Sequence, residues 1–239
     1  MLIVLACWQL CVALGLVDVT FSSSPLRIAV AEVELFGSGE IYPALAATGN
    51  ELLWGLLITF VLGIPIGLVL GRSTILHDMT EPIVNVLYSV PYVMFLPIII
   101  FWFGINNVSR VIIIIWAAIL PLVINITAGV RNLAHDYTRV ARVFCTPRLK
   151  FFTVVALPAT LPYILAGIRL AVGRALVGAI VAEMFLASEG LGYYVQLQTS
   201  NFNMDSAMAG IVVLAAVALL LNWGVRRIER RFTHWSGAQ

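Results

Sequence analysis

The sequence predicts an all-α integral membrane protein of about six transmembrane helices with both termini in the cytoplasm, and three observations predict it. Of 239 residues, 61% are hydrophobic and only 11% are charged, with a mean hydropathy of +1.00. A water-soluble fold of this size cannot hide that much apolar surface. Apolar runs long enough to cross a bilayer recur at about 2–20, 52–70, 83–103, 111–130, 159–182 and 206–224. Ten of the fourteen Lys and Arg residues then fall on one side, and only Arg27 and Arg110 on the other. Basic loops stay in the cytoplasm, so that side is the inner one.

The first run, residues 2–17, is short for a span and reaches bilayer length only with its neighbours. It lacks the basic n-region and A-x-A site of a signal peptide, so it is expected to be kept as a helix. Residues 18–50 carry Asp18, Glu32, Glu34 and Glu40 against Arg27 alone, a balance suited to the outer face. Ser22-Ser23-Ser24-Pro25 is a turn signal inside this stretch.

Span two places Gly55, Thr59, Gly63, Gly67 and Gly71 one turn apart, a ridge of small residues that predicts a helix-packing face. Pro65 adds a bend to it. Span three is interrupted by Pro91 and Pro97, and span four holds Pro121, Asn125 and Thr127. Broken backbone at membrane depth survives only where protein or a water-filled cavity covers it, so both helices are expected in the interior. The short join between them, with Asn106 and Asn107, predicts antiparallel neighbours.

Residues 131–158 form the long polar interruption of the second half and hold Arg131, Arg139, Arg142, Arg148 and Lys150 against the single acid Asp136. Within it Tyr137, Val140, Val143 and Phe144 fall on one side of a helix, with Asp136, Arg139 and Arg142 on the other. This predicts a small amphipathic helix offered to a cytosolic partner.

Span five carries another small ridge, Gly167, Ala171, Ala175 and Ala179, together with Arg169 and Arg174. A guanidinium in hydrocarbon costs roughly 2.5 to 3.5 kcal/mol, so each must face a cavity, pair, or reach the interface. At about 100° per residue the two point about 140° apart, so they cannot share one narrow pore. Either could meet an anionic substrate in the pathway; the plainer role is to tie helices together. Residues 183–205 read as the last outer segment, with a Gly190-Leu191-Gly192 turn, and span six ends in Arg226, Arg227, Arg230 and Arg231.

No catalytic signature appears. There is no G-x-x-x-x-G-K-[ST], H-E-x-x-H or G-x-S-x-G, and His77, His135 and His234 stand far apart in sequence. Cys7, Cys11 and Cys145 read as ordinary thiols, with neither metal nor cofactor implied. Nothing divides the chain, which reads as one membrane domain over 1–239, and nothing points to nucleic acid.

The spacing of the basic loop carries a resemblance. Arg139-Val140-Ala141, three residues, Cys145, nine residues, Val155, Ala156 and Leu157-Pro158 resembles the E-A-A-x3-G-x9-I-x-L-P loop of membrane subunits of binding-protein-dependent ABC importers. Arg139 stands where that loop has glutamate, Val140 where it has its first alanine, and Cys145 where it has glycine. The likeness extends over nearly the whole chain and is closest to the nitrate, sulfonate and taurine group. Gly63-Ile64-Pro65-Ile66-Gly67, Ser89-Val90-Pro91, Trp102-Phe103-Gly104, Gly167-Ile168-Arg169, Ala182-Glu183 and Gly190-Leu191-Gly192-Tyr193 support it.

The resemblance implies a type I importer permease in a bacterial inner membrane, with the first helix retained. Two permeases, identical or related, would enclose the pathway, with a pair of cytosolic ATPases below and a substrate-binding protein outside. Relatives usually begin with a basic extension that this sequence lacks. The helix at about 136–144, beginning at Asp136, would be the coupling helix: Val140, Val143 and Phe144 would supply buried contact, and Arg139 and Arg142 charge. Ala141, Cys145, Leu157 and Pro158 complete the docking set. Arg139 inverts a charge, which predicts a dedicated ATPase. Cys145 would alter the turn that ends the helix, because a Cβ in the left-handed region costs roughly 1 to 2 kcal/mol. The cargo would be a small anion of the nitrate, sulfonate or taurine type. A secondary transporter without an ATPase is the alternative; it would more often show two similar halves and needs no docking helix.

Overall fold

A computed structural model describes residues 2–16, 22–143, 147 and 157–232. Among these, every regular element is helical. The order is α1 Leu2–Ala13, α2 Pro25–Ser38, α3 Ile41–Arg72, α4 Thr74–Ser89, a 3₁₀ turn Tyr92–Phe95, α5 Leu96–Phe103, α6 Asn107–Val143, α7 Leu157–Leu186, α8 Leu191–Ser200 and α9 Met204–Phe232. Helices α3, α7, α9 and the Asn107–Asn132 part of α6 are long and apolar enough to cross a membrane, and α4 with the following segment makes a fifth, broken span. Helix α1 has 12 residues and is about 18 Å long, short of a hydrocarbon core about 30 Å thick. Residues 17–21, partly counted into the first span, lie outside the described residues.

Two helices stand where the sequence reading placed only outer connections. Helix α2 starts at Ser24-Pro25, where the Ser24 hydroxyl accepts from the Arg27 N–H, and proline suits the first helical position. It buries Ile28, Ala31 and Leu35, spaced as one helical face. The second is α8, and both pack against α9.

The proline pair of span three acts unequally. Pro91 offers no N–H, and Val90 before it is held extended at φ −81°, ψ 127°, so α4 stops at Ser89. The two halves are bent by 88° there. Pro97 falls in the first turn of α5, where a missing N–H leaves no gap, and does not interrupt it.

Helices α3 and α6 run parallel at very short range. A Cβ on Gly55 would stand 2.4 Å from Ile114 Cγ2, one on Gly63 2.8 Å from Leu122 Cδ2, one on Gly67 2.8 Å from Ile126 Cβ and one on Gly71 2.5 Å from Val130 Cβ. The small ridge thus receives a ridge of large side chains with the same four-residue step, which is ridge-into-groove packing. The Thr127 hydroxyl donates to the Gly67 carbonyl at 3.2 Å across this seam. Because α3 and α6 run the same way, the chain between them must return across the bundle despite its bend.

Helix α7 runs against α6. Gly129 abuts Tyr163, Gly167 abuts Leu122 and Asn125, and Gly178 abuts Ala117 and Ile114. Ala171, Ala175 and Ala179 are fully buried in the same seam. Helix α6 is therefore the central strut of the bundle. Arg72, Arg131 and the arginines of the last turn of α9 gather at one end, which we call the arginine end.

Candidate functional site

The expected docking helix is not a separate element. Helix α6 continues without a break through Asp136, Arg139, Val140, Ala141, Arg142 and Val143. Their side chains lie outside the described residues, as do Phe144 and Cys145. The chain resumes at Leu157 and Pro158, which begin α7. Pro158 stands in the first turn, where its missing N–H leaves no bond unmade. Both segments thus join the two helices that build the centre of the bundle.

Arg169 and Arg174 leave α7 in different directions, as their spacing requires. Arg169 Nη2 makes an ion pair and hydrogen bond with Glu229 Oε1 on α9, tying the two helices. Arg174 turns instead to a crevice between the Pro91 break and α6. Tyr88, Tyr92, Trp116 and Pro121 line that crevice with it.

At the end opposite the arginines lies a buried polar joint that sequence reasoning did not assemble. Glu183 is 0% exposed. Its Oε1 accepts from Thr48 Oγ1 at 2.5 Å and its Oε2 from the Gly192 N–H at 2.6 Å. Thr48 Oγ1 in turn accepts from the Leu191 N–H at 2.9 Å. One carboxylate and one hydroxyl therefore satisfy the first N–H groups of α8, where a negative charge also complements the helix dipole.

The glycines make this approach possible. Gly190 has φ +112°, and a Cβ there would stand 2.5 Å from Glu183 Cδ. A Cβ on Gly192 would stand 2.6 Å from the Ile180 carbonyl oxygen.

Beside this joint, Arg110 Nε stands 2.8 Å from Glu51 Oε1, both side chains almost wholly buried. Arg110 also donates to the Leu186 carbonyl at 3.3 Å and to Asn107 Oδ1 at 3.0 Å. The N–H direction misses Glu51, so the contact is an ion pair rather than a hydrogen bond. Glu51, Arg110 and Glu183 each sit at the edge of an apolar run, one positive between two negative. That shared edge is the signal that could have joined them. The cluster pins α3, α6, α7 and α8 into one unit.

Elsewhere, His77, Asp78 and Glu81 on α4 bring donor atoms within 4.8 Å of one another, and His77 and Glu81 pair at 3.4 Å. Asp78 and Glu81 are exposed. Cys7 and Cys11 are free thiols, and Cys145 lies outside the described residues.

A family model described as "Binding-protein-dependent transport system inner membrane component" matches residues 63–234. The chain belongs to that family. This permease is 30% identical over 240 residues to the taurine transport system permease protein TauC of Escherichia coli (strain K12), covering 98% of this chain and 87% of the relative. It is 33% identical over 189 residues to the nitrate import permease protein NrtB of Leptolyngbya laminosa, covering 78% and 68% of the two chains. Among solved structures, an inward-facing form of the MetNI methionine ABC transporter superposes with a TM-score of 0.72 at 17% identity, covering 81% of the permease and 96% of that chain. The permease thus has the fold of a type I ABC importer subunit and is a multi-pass transport subunit. The secondary-transporter alternative falls away.

Proposed function

We propose that the permease, with a second copy or a related chain, forms the pathway of an ATP-driven importer of a small solute of the nitrate, sulfonate or taurine type in a bacterial inner membrane. A cytosolic ATPase would dock on the arginine end, and an extracytoplasmic binding protein would deliver cargo at the Glu183 end. The observation that carries this is the length of α6. At 37 residues it measures about 55 Å, well beyond a hydrocarbon core of about 30 Å. The excess belongs to the end bearing Arg131, Arg139 and Arg142, on the helix that forms the centre of the bundle. A partner that grips this extension moves a core helix directly. ATPase closure would then shift the balance between inward-open and outward-open packings through differential contact at this one surface.

The cargo class is supported by the two relatives named for taurine and nitrate: nitrate is a small oxyanion, and taurine carries a sulfonate group beside its ammonium. Recovery of the tagged permease from membranes in mild detergent tests the assembly. An ATPase should accompany it, with hydrolysis that rises when the cognate binding protein is added. Recovery of the permease alone, under conditions that keep a known importer intact, would overturn the docking proposal.

A further inference from the structure

Arg174 is the eighteenth residue of the 30-residue helix α7, deep in an apolar span, yet its side chain is exposed. A guanidinium at such a depth must meet a counter-charge, a cavity or water. Among the described residues no carboxylate pairs with it, whereas Arg169 on the same helix is held by Glu229. Pro91 breaks the neighbouring span beside Arg174, and the Tyr92 phenol is its electrostatic neighbour.

Across the crevice the Trp116 indole packs on Phe95 with ring centroids 4.9 Å apart, and its buried Nε1–H has no hydrogen-bond partner among the described residues. A buried donor left unpaired is costly, and an acceptor entering beside it would relieve that cost. The crevice holds about 40 Å³. That is room for a few heavy atoms, by the measure that gives one water about 10 to 15 Å³.

We infer that Arg174, Trp116 Nε1 and the Tyr92 hydroxyl form an oxyanion-binding station in the translocation pathway, taking the sulfonate or nitrate group of the cargo. Arg174 supplies the charge, Trp116 a neutral donor, and Tyr92 a donor on the broken span just past its bend. The station rests on the anion-import reading for its cargo, but its affinity for an anion can be read separately.

Two measurements separate these claims. The first uses iodide, a small anion that quenches indole fluorescence, on the purified permease, with the Trp116→Phe variant defining the share due to Trp116. Iodide should quench Trp116, the effect should fall at least threefold in Arg174→Gln, and quenching by neutral acrylamide should not change. A Trp116 signal that iodide does not touch, or touches equally in Arg174→Gln, overturns the station.

The second is uptake of taurine and of nitrate by the permease reconstituted with its ATPase and binding protein. Arg174→Gln should lose at least tenfold in rate and Arg174→Lys should recover a substantial part. If Arg174→Gln does not assemble, Trp116→Phe and Tyr92→Phe decide: each should slow uptake several-fold, and wild-type rates in both overturn the station. Undiminished uptake in an assembled Arg174→Gln overturns the station and leaves the import reading standing. Arg174-dependent iodide quenching without uptake of either solute supports the station and overturns the assigned cargo.

Discussion

Thr48 on α3 donates a 2.5 Å hydrogen bond to Glu183 on α7, across 135 residues of sequence, and the same hydroxyl accepts from the first N–H of α8. Thr48→Val keeps the shape and removes both bonds. Each buried group left unpaired costs about 1–3 kcal/mol, so the variant should melt several degrees below wild type in detergent. Gly190→Ala should be at least as damaging, because the new methyl meets the Glu183 carboxylate and its φ of +112° disfavours any side chain. Equal melting temperatures for all three proteins would remove Glu183 from its role as the α8 cap.

Glu51 and Arg110 make a different prediction, because their pairing is buried and charged. Arg110→Gln leaves Glu51 without its counter-charge and should cost about 3–5 kcal/mol, whereas Glu51→Gln with Arg110→Gln should cost less than Arg110→Gln alone. Thermal unfolding of the two single variants and the double variant checks this. Simple additivity would mean that the two groups do not interact.

The seam between α3 and α6 predicts a sharp positional contrast. Gly67→Ala should destabilise by about 1–3 kcal/mol, because the clash is with the branched Cβ of Ile126, close to its backbone, and cannot be relieved by a rotamer change. Gly49→Ala on the same helix should be harmless, since nothing lies within 4 Å of its new methyl. Adding Ile126→Ala to Gly67→Ala should restore part of the loss in the same melting assay.

Arg169 and Glu229 are partly solvated, with side chains 39% and 21% exposed. Their coupling energy, read from a double-mutant cycle on thermal unfolding, should be no more than about 1 kcal/mol. The reversed pair Arg169→Glu with Glu229→Arg should recover stability relative to either single reversal. No recovery would assign the stabilisation to the arginine stem.

Arg139 lies in the α6 extension on which the proposed ATPase would dock. A groove shaped for arginine should repel the acid, so Arg139→Glu should reduce both ATPase recovery and transport with the native partner. Unchanged recovery and transport would sink charge matching at this position.

These predictions differ in how far they could be drawn from sequence. The packing role of Gly55, Gly63, Gly67 and Gly71 was legible, because a four-residue step of small residues already marks one helix face. The divergence of Arg169 and Arg174 was legible too, since their spacing dictates it. Which neighbour each would meet was not, for that depends on how α9 and the Pro91 break are placed around α7. Pro91 and Pro97 looked alike as breakers. Only one breaks, because the other falls in the first turn of a new helix, where no bond is lost.

By itself, the sequence determined that this chain lives in a membrane as a bundle of apolar helices, which faces of α3 and α7 pack, and which end collects arginine. Those properties are local: they follow from hydropathy, helical period and charge counted along one segment. Only the tertiary structure decided that α6 runs unbroken past its span and that α2 and α8 are helices closing the opposite end. It alone brought Glu51, Arg110 and Glu183 together and left Arg174 facing Trp116. A buried charge finds its partner through helix neighbours, and those neighbours are chosen by the summed packing of the whole bundle.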